Sequence, residues 1–216
     1  MYAIYHGPEG LTHIARRVHA YTQLLNTAVQ KYGFKPLNKE FFDTLTIDVS
    51  NIPGGAHAVH AAAVAKGVNL REIDDSHVGV TLDETVGPKD IVRLINVFAA
   101  AGSEDRDPVT LPHLEPTETS SLPSTLRRES EFLHHPVFNT HHSETEMLRY
   151  IYHLQSKDLG LVHSMISLGS CTMKLNSTTS LIPVTWPEFN AIHPFAPADQ
   201  VKGYRQIIKV VVYFQV

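Results

Sequence analysis

The sequence has little that would tie it to a disulfide scaffold, a membrane or a nucleic acid. Cys171 is the single cysteine, so no disulfide can form within the chain, and a reducing compartment is favoured. No apolar run approaches the roughly 20 residues needed to cross a bilayer. The net charge of −4 gives no basic field for nucleic acids. Neither nucleic acid nor membrane is therefore expected as a partner.

The chain also begins without a recognisable targeting segment. Residues Met1–Pro8 lack the basic and apolar regions of a signal peptide, and they are not an Arg-rich transit sequence. The rest of the composition is ordinary. Hydrophobic residues make up 43% and charged residues 19% of the 216 positions, which is typical of a soluble globular protein. This length allows one ordinary domain or two small ones.

Residues 1 to 102 carry clear periodic patterns. Apolar residues at helical spacing predict helices, and alternation predicts strands, with Phe42, Leu45 and Ile47 as buried strand positions. The predicted elements are a helix over Pro8–Tyr32, a strand over Phe41–Val49, a helix over Ala56–Lys66, strands over Val68–Ile73 and Val78–Leu82, and a helix over Pro88–Ala101. This order predicts a compact α/β or α+β unit.

The composition changes after Gly102. Residues up to Glu131 are rich in Pro, Ser and Thr, which is typical of a linker. Ser143 to Glu146 form a capping-box pattern that predicts the start of a helix. Met147, Leu148, Ile151 and Leu154 continue this helix as an apolar stripe. After Asp158 the chain becomes irregular, with few charges and many hydroxyls over Ser164–Ser180 and a loop-like run over Ile182–Pro187, so it cannot form a core of its own there. A short helix over Pro197–Lys209 and an apolar tail complete the chain.

Three groups of residues could carry chemistry. The first is the histidine cluster His134, His135, His141 and His142. A zinc site needs ligands that converge on rigid supports, and this spacing provides no such set, so local hydrogen bonding or pocket lining is favoured over metal. The second is the loop Leu168–Ser177, whose small residues, hydroxyls and Lys174 would suit an anion. On pattern alone, a structural loop is favoured over a catalytic one. Third, Arg71 with Asp83 and Glu84 forms a charged group that is better explained as a solvated face.

Several sequence blocks together resemble the P-proteins of the glycine cleavage system, which are glycine decarboxylases. The blocks cover residues 1 to about 208 in the family's order. They are Tyr2–Leu11, Phe42–Leu45, Leu82–Thr85, Phe138–Thr145, Val162–Ile166 continuing into Leu168–Asn176, Thr185–Phe189 and Ile192–Phe195.

The resemblance implies a fold and a division of the chain. P-proteins of this kind have two halves, each built like a fold-type-I transferase that depends on pyridoxal 5′-phosphate (PLP). Residues 1–102 would be the small α/β domain that closes the first half, and residues 103–136 the linker. Residues 137–208 would open the second half, and residues 209–216 would be a divergent tail.

The resemblance also implies a function for the complete enzyme. Glycine would lose CO₂ with the PLP ring as electron sink, and the aminomethyl group would pass to the lipoyl arm of the H-protein. The enzyme would be a homodimer in the mitochondrial matrix. His163, Ser170, Thr172, Lys174 and Asn176 would line the active-site floor and contact cofactor or substrate. No metal is expected.

Two departures from the family pattern bear on activity. Ser167 stands where proline is expected, and Val210–Val216 replaces an expected acidic helix. Met1 coincides with a methionine that is expected inside full-length members of the family. Together with the replaced segment at the other end, this makes both ends of the sequence look cut. The family's PLP lysine lies in a His-Lys motif that this sequence does not contain, so no catalytic residue is expected here, nor any covalently bound cofactor. The alternative functions are a non-catalytic fragment that binds full-length P-protein or H-protein, and a histidine metal site.

Overall fold

The computed structural model describes residues 1–102, 122–166 and 176–213. The described chain forms two compact units, Met1–Leu148 and Arg149–Val216. Every buried residue in these ranges lies between Gly7 and Ala99. The only described hydrophobic core therefore belongs to the first unit.

The first unit contains three long helices and a small sheet. The helices are α1 (Tyr2–Lys31), α2 (Gly55–Ala65) and α3 (Pro88–Gly102), and the strands are β1 (Lys35–Pro36), β2 (Thr44–Asp48), β3 (Arg71–Asp74) and β4 (His77–Thr81). The strands pair in the order β1-β2-β4-β3, and every pairing is antiparallel. The predicted mixture of helices and sheet is confirmed, in its antiparallel α+β form.

The core forms where one face of the sheet meets the helices. Leu45 and Ile47 on β2 are fully buried, while the alternating Thr44 and Thr46 lie on the other face. This is the usual arrangement of an antiparallel sheet with one packed face. The core cluster combines these strand residues with side chains from all three helices; examples are Leu25, Val29, Val59, Val78, Ile91, Ile95 and Phe98.

Two glycines explain the helix ends that the sequence predicts at Tyr32 and Lys66. Gly33 after α1 has a φ of 87°, and Gly67 after α2 has a φ of 70°. Both lie in the left-handed region, where glycine carries no Cβ penalty. The predicted ends at these positions are confirmed.

Two local predictions are wrong, and one strand was not predicted. Phe42 is 43% exposed because it precedes β2 and lies outside its pleat. The first helix begins at Tyr2 and is kinked at Gly7, so Pro8 starts only its second segment. The two-residue β1 has no predictable pattern, because alternation needs several residues.

The remaining described chain is a series of short helices. They are 3₁₀ turns at Ser124–Leu126, Pro136–Phe138 and Ile182–Thr185, and helices α4 (Glu144–Gln155), α5 (Thr178–Leu181), α6 (Pro187–Asn190) and α7 (Lys202–Tyr213). Ser143 caps α4 as predicted, since its Oγ accepts from the Glu146 amide at 3.2 Å. The last helix starts at Lys202, five positions after the predicted Pro197. No described helix is long and apolar enough to cross a membrane.

Candidate functional site

Most of the predicted active-site loop lies outside the described residues. Ser170, Thr172 and Lys174 belong to this undescribed part of the chain, as does Cys171. His163 is described and lies in an exposed turn, where its amide donates to the Gly160 carbonyl at 3.0 Å. Asn176 is also exposed. The common lining of one site by these five residues stays a prediction.

The histidines of the predicted cluster contact separate partners. His134 Nδ1 lies 3.7 Å from a Glu131 carboxylate oxygen. His135 Nδ1 accepts from the Val137 amide at 3.2 Å and caps the following 3₁₀ turn. Among the described residues, no group of three His, Cys, Asp or Glu side chains could hold a metal ion. His134 and His135 thus make local contacts, whereas His142 makes a long-range one.

His142 has the longest-range role in this cluster. Its Nδ1 donates to the Tyr5 carbonyl at 2.7 Å, which links the segment before α4 to the first turn of α1. This contact lies beside Gly7, whose φ of 62° and ψ of −177° break the helix. A Cβ at Gly7 would lie 2.8 Å from the Phe138 carbonyl oxygen and 2.5 Å from His142 Cε1. The sequence block around Gly7 and the block Phe138–Thr145 therefore meet in close contact.

Two more resembling blocks are joined at the end of the β2–β4 pair. The Leu82 amide donates to the Asp43 carbonyl at 3.0 Å. The hydroxyls of Thr44 and Thr81 lie 3.1 Å apart across the strands. These contacts place the Phe42–Leu45 block against the Leu82–Thr85 block.

Arg17 connects this strand end to α1. Its Nη2 donates to the Glu84 carbonyl at 2.8 Å. Burial, and then the neighbouring Glu84 carboxylate, raise the pKa of the Tyr2 phenol. Arg71, Asp83 and Glu84 are all exposed and form no ion pair with one another in the described structure, as expected of a solvated face. Glu84 instead faces Arg17 and Tyr2, so four of the resembling blocks gather around the first half of α1.

A groove of about 1400 Å³ lies along α1 and was missed by sequence reasoning. Its walls come from α1, from Phe42 and from residues 122–134 with Asn139. His19 lies in this groove and is only 4% exposed. Its ring nitrogens contact the Phe42 carbonyl and the Gln23 side-chain nitrogen, both at 3.0 Å. The i to i+4 spacing of His19 and Gln23 was a signal for this pair, but nothing in the sequence joins them to residues 122–134.

The described residues do not form a PLP site. Such a site needs a lysine held in a pocket so that its amine can react with the cofactor aldehyde. Every lysine in the described part of the chain is exposed. No lysine among the described residues is therefore placed to bind PLP covalently.

Comparison with known proteins places the chain in a family. A sequence model of the glycine cleavage system P-protein matches residues 1–98. A glycine dehydrogenase (decarboxylating) of Cupriavidus metallidurans is 49% identical over 211 residues, which cover 96% of this chain and 21% of the relative. A Schizosaccharomyces pombe protein with the provisional name glycine dehydrogenase (decarboxylating), mitochondrial, is 50% identical over 219 residues, with the same two shares.

A third relative, glycine dehydrogenase (decarboxylating) of Stenotrophomonas maltophilia, is 51% identical over 210 residues, which are 96% of this chain and 20% of the relative. The chain thus spans about a fifth of the length of the curated relatives that it matches. Identity near one half extends over nearly every residue of the chain, including parts beyond the family model. The chain belongs to the glycine cleavage system P-protein family.

Proposed function

We propose that this chain is part of a PLP-dependent glycine decarboxylase and is inactive by itself. The complete enzyme releases CO₂ from glycine and passes the aminomethyl group to the lipoyl arm of the H-protein. In this proposal residues 1–102 close a first fold-type-I half and residues 137–208 open a second. The complete enzyme is a homodimer of the mitochondrial matrix.

The observation that carries the proposal is the similarity over 96% of the chain to proteins named glycine dehydrogenase (decarboxylating). The contacts around α1 support it. Sequence blocks that are far apart in the chain meet there through the His142–Tyr5 hydrogen bond and the Arg17–Glu84 hydrogen bond. Such convergence is expected of blocks that shape one region of a folded enzyme. The mitochondrial location is supported by the name of the Schizosaccharomyces pombe relative.

The loop around Lys174 would provide this chain's contribution to the site. PLP in the complete enzyme supplies an electron sink for the charge left when CO₂ departs. In an extended loop Ser170, Thr172, Lys174 and Asn176 alternate and face one side. The Lys174 ammonium is then suited to hold an anionic group of cofactor or substrate through a charge-assisted hydrogen bond.

Inactivity of the isolated chain is proposed for a chemical reason. The sequence contains no His-Lys pair of the kind that carries the cofactor in the family. The purified chain should not exchange labelled CO₂ into glycine when PLP and lipoylated H-protein are added. Exchange at the rate of a full-length relative would contradict this part of the proposal.

The shared function can be tested in a chimera. The matching segment of the Cupriavidus metallidurans relative is replaced by residues 1–208 of this chain, and glycine-dependent CO₂ exchange is measured with the unchanged relative as control. We expect exchange within about tenfold of the control, which is roughly 1.4 kcal/mol in the activation barrier. A folded chimera with normal PLP absorbance and no exchange would refute the function.

One observation favours the alternative, an interaction fragment. None of the described residues from Arg149 to Tyr213 is buried, so this part depends on some other surface to cover its apolar side chains. Immobilised full-length relative should retain the chain under this alternative. The matched test is retention of a chain shortened to residues 1–148: equal retention of both would exclude the second unit as the binding part.

A further inference from the structure

The break in α1 is covered by a segment from the far end of the first unit. Gly7, where φ is 62° and ψ is −177°, is buried although it lies near the start of the helix. Pro8 follows it and lacks the N–H that a continuous helix would direct to the Ile4 carbonyl. At this break, His142 donates from Nδ1 to the Tyr5 carbonyl at 2.7 Å. A side chain distant in sequence thus supplies a donor where the helix is interrupted.

The contact also depends on shape. A Cβ at Gly7 would lie 2.5 Å from His142 Cε1 and 2.8 Å from the Phe138 carbonyl oxygen. A glycine is therefore required for this segment to approach the helix so closely. The hydrogen bond and the fit at Gly7 join the same two segments, so they define a single contact, which we call the anchor (Tyr5, Gly7, Phe138 and His142).

The turn that carries the anchor is braced by its own hydrogen bonds. Asn139 Nδ2 donates to the Leu133 carbonyl at 2.9 Å and to the His135 carbonyl at 3.1 Å. The Thr140 hydroxyl donates to the Pro136 carbonyl at 2.7 Å. A turn braced in this way holds its last residues in a defined position, so the anchor fixes the turn as a whole.

Helix α4 begins directly after the anchor. Ser143 follows His142 in the chain, and its Oγ accepts from the Glu146 amide at 3.2 Å, which caps α4. The anchor therefore sets the start of α4 relative to α1. A flexible linker would set this position only weakly, because the free energy of closing a loop changes little when the length of the loop doubles.

We propose that the anchor positions the start of the second half, residues 137–208, on the small α/β domain, and that the length of the linker does not. His142 is then a positioning residue, since it acts through the segment that it holds. The division into two halves rests on the proposed function, whereas the anchor is a property of the isolated chain and is tested there first.

The first test compares a longer linker with a damaged anchor in the full chain. About thirty Gly and Ser residues, inserted between residues 110 and 111, roughly double the length of chain between Gly102 and Leu133. This insertion should speed hydrogen exchange of residues 134–145 by only about threefold. Gly7→Ala should speed it about thirtyfold or more, through backbone strain and loss of the hydrogen bond. An insertion that opens this segment as far as Gly7→Ala does would overturn the proposal.

Variants at His142 cover the case in which Gly7→Ala fails to fold. His142→Ala should speed exchange of the same residues about fivefold, the effect of losing one hydrogen bond. His142→Asn should restore slow exchange, because the Asn side-chain amide can donate from the position of Nδ1. His134→Ala is the matched control, since the contact of His134 with Glu131 is local, and it should change nothing. Equal exchange in all three variants also overturns the proposal.

The second test uses the chimera, in which residues 1–208 replace the matching segment of the relative. The insertion should lower glycine-dependent CO₂ exchange by no more than about threefold. His142→Ala should lower it about fivefold, and His142→Asn should restore it, while stability in urea stays the same in both variants. A chimera that is inactive without any of these changes contradicts the proposed function and leaves hydrogen exchange to decide on the anchor. Loss of activity on insertion alone, in an otherwise active chimera, overturns the positioning role.

Discussion

Replacing Gly7 by alanine should open the contact between α1 and the segment before α4. The backbone at Gly7, with φ 62° and ψ −177°, lies in a region that only glycine adopts readily. Holding an alanine there costs about 1–3 kcal/mol. The new Cβ would also lie 2.8 Å from the Phe138 carbonyl oxygen. Relief of this clash requires the turn at residues 136–142 to move away.

The expected effect is the sum of the backbone strain at residue 7 and the loss of one hydrogen bond. Movement of the turn breaks the hydrogen bond from His142 to Tyr5, which contributes about 1 kcal/mol. Together with the backbone strain, local opening becomes easier by about 2–4 kcal/mol, or roughly thirty- to a thousandfold. The core between α1, α2, α3 and the sheet is built from other residues and should keep its stability.

Hydrogen exchange with mass spectrometry separates this local opening from global unfolding. Peptides over residues 1–12 and 134–145 should exchange faster in Gly7→Ala, and core peptides should not. Gly67→Ala is the control, since Gly67 also has a positive φ, 70°, but no atom lies within 4 Å of its new Cβ. It should cost about 1–2 kcal/mol of global stability and leave residues 134–145 unchanged. Unchanged exchange of residues 134–145 in Gly7→Ala would refute the reasoning.

Three further predictions concern the core, acid stability and the undescribed loop. Leu45→Ala, at a fully buried position, should lower the free energy of unfolding in urea by about 2–5 kcal/mol, whereas Leu148→Ala, 65% exposed, should change it by less than about 0.5 kcal/mol; equal losses would contradict the assigned core. The Thr85 hydroxyl holds the pKa of Asp83 below its ordinary value, so this carboxylate stabilises the fold above pH ~3.9 and the stability is lost as pH falls through the folded pKa. Asp83→Asn should flatten the acid limb of urea unfolding curves, and an unaltered limb would exclude this contribution. Lys174→Ala in a full-length relative should reduce cofactor affinity or turnover roughly ten- to a hundredfold, measured by PLP titration and CO₂ exchange, and unchanged values would show that Lys174 faces packing.

The fold of the first unit could be predicted where the period of the apolar residues and the length of the segment indicate the same type of element. Leu45 and Ile47 alternate with threonines on β2, and both are buried as expected. Helix ends at Gly33 and Gly67 were readable because glycine has a physical role there. Phe42 was misassigned because it precedes the strand and lies three positions before Leu45, which is out of phase with the alternation. Alternation states which residues share a face, but it does not state where pairing begins.

The contacts of the candidate site were less predictable because they join distant segments. His142 and Tyr5 are hydrogen bonded across a separation of 137 residues. The sequence around His142 shows only two histidines before a capping box. This pattern predicts local hydrogen bonds, and it does not predict a contact with α1. The corresponding signal was Gly7, since a glycine before Pro8 marks a helix start with unusual freedom. Such a glycine indicates that another segment packs closely against the backbone, but it does not indicate which segment.

The family resemblance and the periodic apolar patterns rest on different residues of this chain. The block that ends at Asn176 carries almost no periodicity. This agrees with the proposal that it contacts an anion, because such a loop needs backbone shape and hydroxyls and not a regular apolar pattern. The residues that form the core, such as Leu25 and Phe98, would serve many folds equally well. Stability in this protein is thus concentrated in residues 1–102, and the second unit has no described core of its own. The second unit exposes large apolar side chains such as Phe195, so we expect it to be ordered by a surface that covers them. The chimera supplies the rest of a full-length relative as that surface, and the isolated chain does not.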